Sequence, residues 1–258
     1  MGLQKETIEA LLDKNVRSQI QEIKILKTID STNAYLLKQA HVDKASVCIA
    51  EQQTAGRGQF NRTWASPANN IYFSMRWPLK EAYQNIMGLS LVVAIAIIKT
   101  LAYFDVTEHI GIKWPNDIMW QQRKLAGILV ETTKTDVIIG IGINVQLPKT
   151  VSIDQPWIDL FEITDQSLDR NQIIGKLINQ LFDSLNLFYQ EGAVAFQDEW
   201  NQFDILKEQF VTMHSPNRLI SGIAKGINKN GQLLIKTAPD MEHTITSGEI
   251  TSVLEIET

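Results

Sequence analysis

Helices packed on a β-sheet, followed by a small barrel-like unit of short strands, is the architecture that this sequence predicts. Three observations lead there. Residues 86–104 form the most hydrophobic stretch, with an apolar face so continuous that it requires burial against a sheet. Apolar, β-branched runs at 45–50, 71–77, 124–131 and 135–145 supply the strands. From about Leu206 the texture changes to short alternating strands at 210–213, 218–226, 232–237, 243–246 and 250–256, with Asn230-Gly231 as a type I′ hairpin signal.

Taken in order, residues 7–20 carry Ile8, Leu11, Leu12 and Val16 at helical spacing and read as one short helix. A helix-turn-helix DNA reader needs further helices and a positively charged recognition element, which the segment ahead of the first strand at 23–26 does not supply. The polar run Asp30-Ser-Thr-Asn33 precedes a helical pattern at 34–40. Each of its residues is a good helix N-cap, and the same cluster offers hydroxyl and amide groups beside free helix N–H donors, a pocket for a polar ligand.

Residues 51–64 leave the strand at 45–50 and enter a glycine-bearing loop. Gly56 and Gly58 bracket Arg57 and permit close approach of the backbone to a ligand. Arg57 and Arg62 carry fixed charge and forked donors suited to phosphate or carboxylate oxygens, and Trp64 offers a flat face to a base. A basic surface loop closed by a core tryptophan would use the same residues. After the 71–77 strand, ended by Pro78, and the apolar helix comes Lys113-Trp-Pro-Asn-Asp117. Strands at 118–120 and 124–131, joined tightly through 121–123, form a hairpin whose second strand starts with Lys124 and contains Gly127. In the 135–145 strand Gly140 and Gly142 alternate with isoleucines, so one face lacks side chains and accommodates either a close-packed helix or a small ligand. Asn144 at its end is an amide in need of partners. A loop at 146–157 leads to a helix capped by Asp169 and running to Tyr189, and to a second helix at 193–203.

Composition narrows the function. With 258 residues, 44% hydrophobic and 21% charged, the chain has a packed core and room for one large domain with a small appendage. A net charge of −5 and a pI near 5.4 argue against a protein that mainly grips a polyanion. Cys48, the single cysteine, sits between Val47 and Ile49 as a small hydrophobe. The four histidines lack the spaced partners of a zinc site. The N-terminus has no signal-peptide pattern and no apolar run is long enough for a membrane span, so the cytoplasm is the expected compartment.

Asp30-Ser-Thr-Asn33, Gly56-Arg-Gly58 with Arg62 and Trp64, Lys113-Trp-Pro-Asn-Asp117 with Lys124-Leu-Ala-Gly127, and Gly140-Ile-Gly-Ile-Asn144 stand in the order and spacing of a biotin protein ligase. Each motif is weak alone, and the four in register are specific. The resemblance implies an α+β catalytic domain over residues 1–206, with helices on a mixed sheet, and a C-terminal SH3-like barrel over 207–258. It also implies a monofunctional enzyme that uses MgATP to convert biotin to biotinyl-5′-AMP and transfers biotin to a lysine of the biotin carboxyl carrier protein of acetyl-CoA carboxylase. A lipoate–protein ligase and a non-catalytic biotinyl-AMP sensor are the alternatives.

By the same resemblance, Ser31, Thr32, Asn33 and Gln53 form the polar set around biotin, with Gly58, Gln59 and Gly127 flanking it. Arg57 bridges the carboxylate and the α-phosphate, and Lys124 neutralises the reacting oxygens. Arg62, Trp64, Lys113, Asn116, Asp117 and Asn144 form the nucleotide side, with magnesium carried by ATP near Asp117 rather than held by the protein alone. The 56–64 loop is the expected lid over the adenylate. The strand at 135–145 is the expected exposed edge for carrier pairing, and the same edge is open to homodimerisation. Two positions depart from the family: Gln59 stands where a basic residue is common, and Gly248-Glu-Ile250 is followed by Thr251 rather than an arginine.

Overall fold

The computed structural model describes residues 2–79, 86, 88–215 and 218–254. Two sheets organise it. The larger has seven strands, β1 (Ile20–Ile29), β2 (Ala45–Gln53), β3 (Ile71–Pro78), β4 (Ile110–Lys113), β5 (Asp117–Trp120), β6 (Arg123–Thr132) and β7 (Asp136–Ile143), in the spatial order β1-β2-β3-β7-β6-β5-β4. Only the β1–β2 pair is parallel, so the sheet is mixed as expected.

Period-two alternation sends the two sides of β7 to different environments. Ile139, Ile141 and Ile143 join the main core under helices α4 (Leu89–Ala102) and α6 (Arg170–Glu191), whereas Ile138 packs with Leu36 and Cys48 on the opposite face. That opposite face carries the short helix α3 (Thr32–Leu37). Burial pushes the Cys48 thiol up to about 12, which makes it inert packing. The apolar helix at 86–104 is realised as Leu89–Ala102; Met87 lies outside the described residues.

The chain ahead of β1 departs from the single expected helix. It forms α1 (Lys5–Ala10) and α2 (Lys14–Ser18), broken at Asp13, whose extended backbone caps α2. One side chain of α6 holds the break and a second holds the start of α1. Asn179 takes the Asp13 amide at 3.2 Å and donates to the Leu11 carbonyl at 3.1 Å, while Asn171 accepts from Gln4 N at 2.8 Å. The segment is fastened to α6 through its backbone, and its stripe of Ile8, Leu12 and Val16 is buried. Four further elements were not expected: β4, to which the sequence reading assigned no element, the short helix α5 (Leu160–Thr164), and two 3₁₀ turns, Gln59–Asn61 and Ala193–Phe196, the latter ahead of α7 (Gln197–Phe203).

The second sheet is antiparallel and SH3-like, with β8 (Phe210–Ser215), β9 (Arg218–Ile227), β10 (Leu233–Ala238), β11 (Met241–Ile245) and β12 (Glu249–Leu254) in the order β11-β10-β9-β8-β12. The end of the expected last strand, Glu255 and Ile256, lies outside the described residues. The Asn230-Gly231 turn is not type I′, because only Gly231 has positive φ, at 75°. Gly231 N donates to Asn228 O and Asn228 N to Gln232 O, and a Cβ on Gly231 would lie 2.6 Å from Gly88 Cα. The glycine is required because the turn abuts the start of α4.

β7 lies between β3 and β6, so the strand at 135–145 has no free edge, contrary to expectation. It cannot receive a carrier strand or a second copy; the edges of this sheet are β1 and β4.

Past β7 the chain is fixed by a polar relay. Arg170 NH1 donates to Glu51 Oε2 at 2.7 Å and to Asn70 O at 3.1 Å, and Asn70 Oδ1 accepts from the amides of Val145 and Gln146. Burial opposes ionisation of Glu51, but the Arg170 bond, the Leu3 amide and the Arg170 charge outweigh it and hold the carboxyl below its ordinary value of 4.5. A depressed carboxylate adds stability that is complete above the unfolded value and is lost as pH falls through the folded one. Glu51→Gln is therefore expected to be less stable by about 1 kcal/mol at pH 7, allowing for partial screening, and the gap to close below pH 4.5. Denaturant unfolding at the two pH values checks this; a gap that widens in acid contradicts it.

Candidate functional site

The glycines of β7 leave a bare strip on the α3 face of the sheet, and two side chains fill it. In register, Gly140 is flanked by Ser74 on β3 and Leu129 on β6. Asn33, from the first turn of α3, lies directly over it, so that a Cβ on Gly140 would meet Asn33 Oδ1 at 2.3 Å. The Asn33 amide is held from both sides: Ser74 Oγ donates to Oδ1 at 2.5 Å, and Nδ2 donates to Leu129 O at 3.3 Å and to Glu131 Oε2 at 2.9 Å. One step along, Gly142 pairs with Gly127, and the Trp64 indole covers both.

The polar run at 30–33 is both cap and pocket wall. Ser31 is the N-cap of α3 and accepts from Ala34 N at 3.4 Å. Gln53 Oε1 accepts from the Thr32 amide at 2.9 Å and its hydroxyl at 3.2 Å, while Gln53 Nε2 donates to Ser66 Oγ at 3.0 Å. Arg76, buried from β3, donates to the Leu36, Gln39 and Ala40 carbonyls and so fixes the other end of α3. Asp30 is turned outward to Lys38.

The loop at 56–64, the expected lid, is closed on itself. Trp64 N donates to Gly56 O at 2.9 Å and Gly58 N to Arg62 O at 2.7 Å, around a tip in which Phe60 and Asn61 have positive φ. Two ion pairs tie it down: Arg57 to Glu131 at 2.7 Å and Arg62 to Glu249 of β12 at 2.6 Å. Beneath the lid, Lys124 is 9% exposed; its Nζ lies 2.8 Å from Asp117 Oδ1 and 5.2 Å from the Trp64 ring centroid. Trp64 Nε1 is buried without an acceptor.

A cleft of about 690 Å³ results, and it gathers Ser31, Thr32, Asn33, Gln53, Arg57, Gly58, Gln59, Arg62, Trp64, Asn116, Lys124 and Gly127. Three expected residues lie outside its lining. Asp117 reaches it only through Lys124. Lys113 turns to the second sheet, donating to Ile250 O at 3.2 Å; burial lowers its pKa, against the pull of Asp117. Asn144 is 5% exposed and donates to Lys124 O and Ile158 O, lining a smaller cavity with Gln155 and Trp157. Of the residues that the motif reading passed over, Thr63, Tyr72 and Gln155 line the cleft, and two more support it from outside its lining. Ser74 is fully buried between Phe73 and Met75, a signal visible in the pattern; Glu131 becomes visible only through the register.

A cleft with a glycine floor, a polar wall and two ion-paired cations beside the 56–64 loop can hold a flat polar ring at one end and anionic groups at the other. Residues 25–146 match the profile of the biotin/lipoate A/B protein ligase family, and 208–251 that of the biotin protein ligase C-terminal domain. The bifunctional ligase/repressor BirA of Escherichia coli K12 is 38% identical over 242 residues, covering 90% of this chain and 75% of the relative. The biotin–[acetyl-CoA-carboxylase] ligase of Mycobacterium tuberculosis is 35% identical over 225 residues, covering 83% of each. Among solved structures, the biotin protein ligase of Aquifex aeolicus in complex with biotin and ATP superposes with a TM-score of 0.78 at 28% identity, covering 90% of this chain and 98% of that one.

Proposed function

Because the chain belongs to the biotin protein ligase family, we infer that its cleft joins biotin to AMP and passes the biotinyl group to a lysine of a carrier protein. In the first step the biotin carboxylate attacks the α-phosphorus of ATP and pyrophosphate leaves. In the second a lysine amine attacks the acyl carbonyl of biotinyl-5′-AMP and AMP leaves. The observation that carries the reading is the convergence of the hydroxyl–amide wall of Ser31, Thr32 and Gln53 with Arg57 and Lys124 in one cleft.

These residues divide the task. The wall offers fixed donors and acceptors to the ureido ring, and Asn33, Gly58, Gln59 and Gly127 bound it. Arg57 and Lys124 offset the repulsion of a carboxylate brought against a triphosphate, which supplies most of the catalysis in such transfers. The unpartnered Trp64 Nε1 and the indole face suit the nucleotide, as do Arg62 and Asn116. The lid excludes water from a hydrolysable adenylate.

No group of three His, Cys, Asp or Glu side chains among the described residues could hold a metal, and Asp117 is a single carboxylate at the edge of the cleft. Magnesium would arrive with ATP and offset phosphate charge there, with Asp117 as one protein donor. Lys113 and Asn144 act at one remove, Lys113 through the β12 backbone and Asn144 through the Lys124 carbonyl.

For the carrier we propose the biotin carboxyl carrier protein of acetyl-CoA carboxylase, in keeping with the name of the mycobacterial relative. We take residues 1–206 as catalytic and 207–258 as the terminal domain, supported by the start of β8 at Phe210. We assign no DNA-binding role, since α1 and α2 are six and five residues long and fastened to α6. No helix among the described residues is long and apolar enough to cross a membrane. A dimer formed through the large sheet would have to use β1 or β4.

Pyrophosphate release with biotin and lipoate side by side tests the function: biotin dependence is expected, lipoate dependence would move the chain to the sister activity, and binding without turnover would make it a sensor. Gln59 gives a second test. With no cation at that lid position, a Gln59→Arg variant is expected to release biotinyl-AMP roughly tenfold more slowly, the effect of about 1–2 kcal/mol from one charge-assisted hydrogen bond. Equal release rates would discard this role.

A further inference from the structure

On the biotin ligase reading, we propose that Glu131 is a positioning residue for the reaction, holding the lid arginine in register with the fixed wall of the biotin pocket. One carboxylate oxygen, Oε2, accepts both from Arg57 NH2 at 2.7 Å and from Asn33 Nδ2 at 2.9 Å. Asn33 is in turn oriented by Ser74 and Leu129 over Gly140, so the direction of that hydrogen bond is set by the buried sheet. Glu131 transmits it to a loop whose other ion pair, among the described residues, is that of Arg62 with Glu249.

Placement decides that Glu131 orients Arg57 rather than competes with the substrate. Arg57, Gly58, Gln59 and Leu129 line both the 690 Å³ cleft and a second cleft of about 1440 Å³ that opens toward the small sheet. Glu131 lines only the second. Its charge stays out of the inner cleft while the guanidinium reaches it. The contact uses one terminal nitrogen of a five-donor fork, leaving the others for the carboxylate and phosphate oxygens. With its guanidinium oriented by Glu131 in the closed loop, Arg57 draws less of the ligand's binding energy for its own ordering, which strengthens binding without a new contact.

Glu131→Gln keeps the shape and an accepting oxygen and removes the charge. Wild type, Glu131→Gln, Arg57→Ala and the double variant are compared by biotin-dependent pyrophosphate release, melting temperature, and trypsin digestion of the unliganded proteins with fragments assigned by mass. Glu131→Gln is expected to raise the biotin KM roughly tenfold with kcat within about twofold of wild type, as loss of one charge-assisted bond predicts. Cleavage after Arg57 and Arg62 accelerates at unchanged melting temperature, and the KM effect vanishes in the Arg57→Ala background. An unchanged KM, a KM that falls as relief from a competing carboxylate would give, or equal losses in both backgrounds with a lowered melting temperature would overturn the proposal. Absence of biotin-dependent turnover in wild type would instead overturn the function, and lid cleavage would still report the latch.

Discussion

Lys124→Ala is expected to slow biotinyl-AMP formation by about 10²–10³-fold, the usual cost of removing one preorganised charge-stabilising donor. The side chain has little freedom to be replaced by water or by a neighbour: 11% of it is exposed, and its amine lies between Asp117 and the Trp64 ring. Removing it also reverses the local charge, since Asp117 at 17% side-chain exposure remains as an uncompensated anion where a triphosphate must approach. Stability falls by about 1–3 kcal/mol for the stranded carboxylate. Adding Asp117→Asn is expected to restore the melting temperature and leave the chemical step slow. Single-turnover adenylate formation, with thermal unfolding alongside, separates the two effects; full activity in Lys124→Ala would remove Lys124 from the chemistry.

Gly140→Val is the second large effect. An added Cβ would stand 2.3 Å from Asn33 Oδ1 and 2.8 Å from its Cγ, with no slack, because that amide is bonded to Ser74, Leu129 and Glu131. Asn33 must leave, and with it the start of α3 that carries Ser31 and Thr32. Overpacking of this kind costs about 1–3 kcal/mol. The biotin KM is expected to rise by at least about tenfold, since displaced polar groups in a recognition site are left unpaired. The same exchange at Gly2, where an added Cβ would meet nothing closer than 3.8 Å, is a control for the KM, which should not move. A Gly140→Val enzyme with normal biotin KM would show that the strip over β7 is not part of the pocket wall.

Local patterns were legible and pairings were not. The apolar run became α4, the alternating runs became β2, β3, β6 and β7, and the Asp169 cap began α6, because each depends on neighbours a few residues away. Ser31, Thr32, Gln53, Arg57 and Lys124 stood in short motifs and meet in one cleft. The interior position of β7 depends on β3 and β6 taking its two sides, a matter of sheet order that no period reveals, and an exposed edge was expected there. The break at Asp13 depends on Asn179, far along the chain. Lys113 and Asn144 were expected on the nucleotide side, and the second sheet and the 158 region, both remote in sequence, supply their acceptors instead. The role of Glu131 required knowing which residues face each other across Gly140.

The central claim is that the lid arginine offsets the repulsion between a vitamin carboxylate and a nucleotide in a water-excluding cleft. The most direct test is single-turnover formation of biotinyl-AMP by Arg57→Ala at saturating biotin and ATP. The expected rate is lower by about a hundredfold or more with the fold intact. A rate within about twofold of wild type would contradict it, because a charge worth so little is not what holds two anions together.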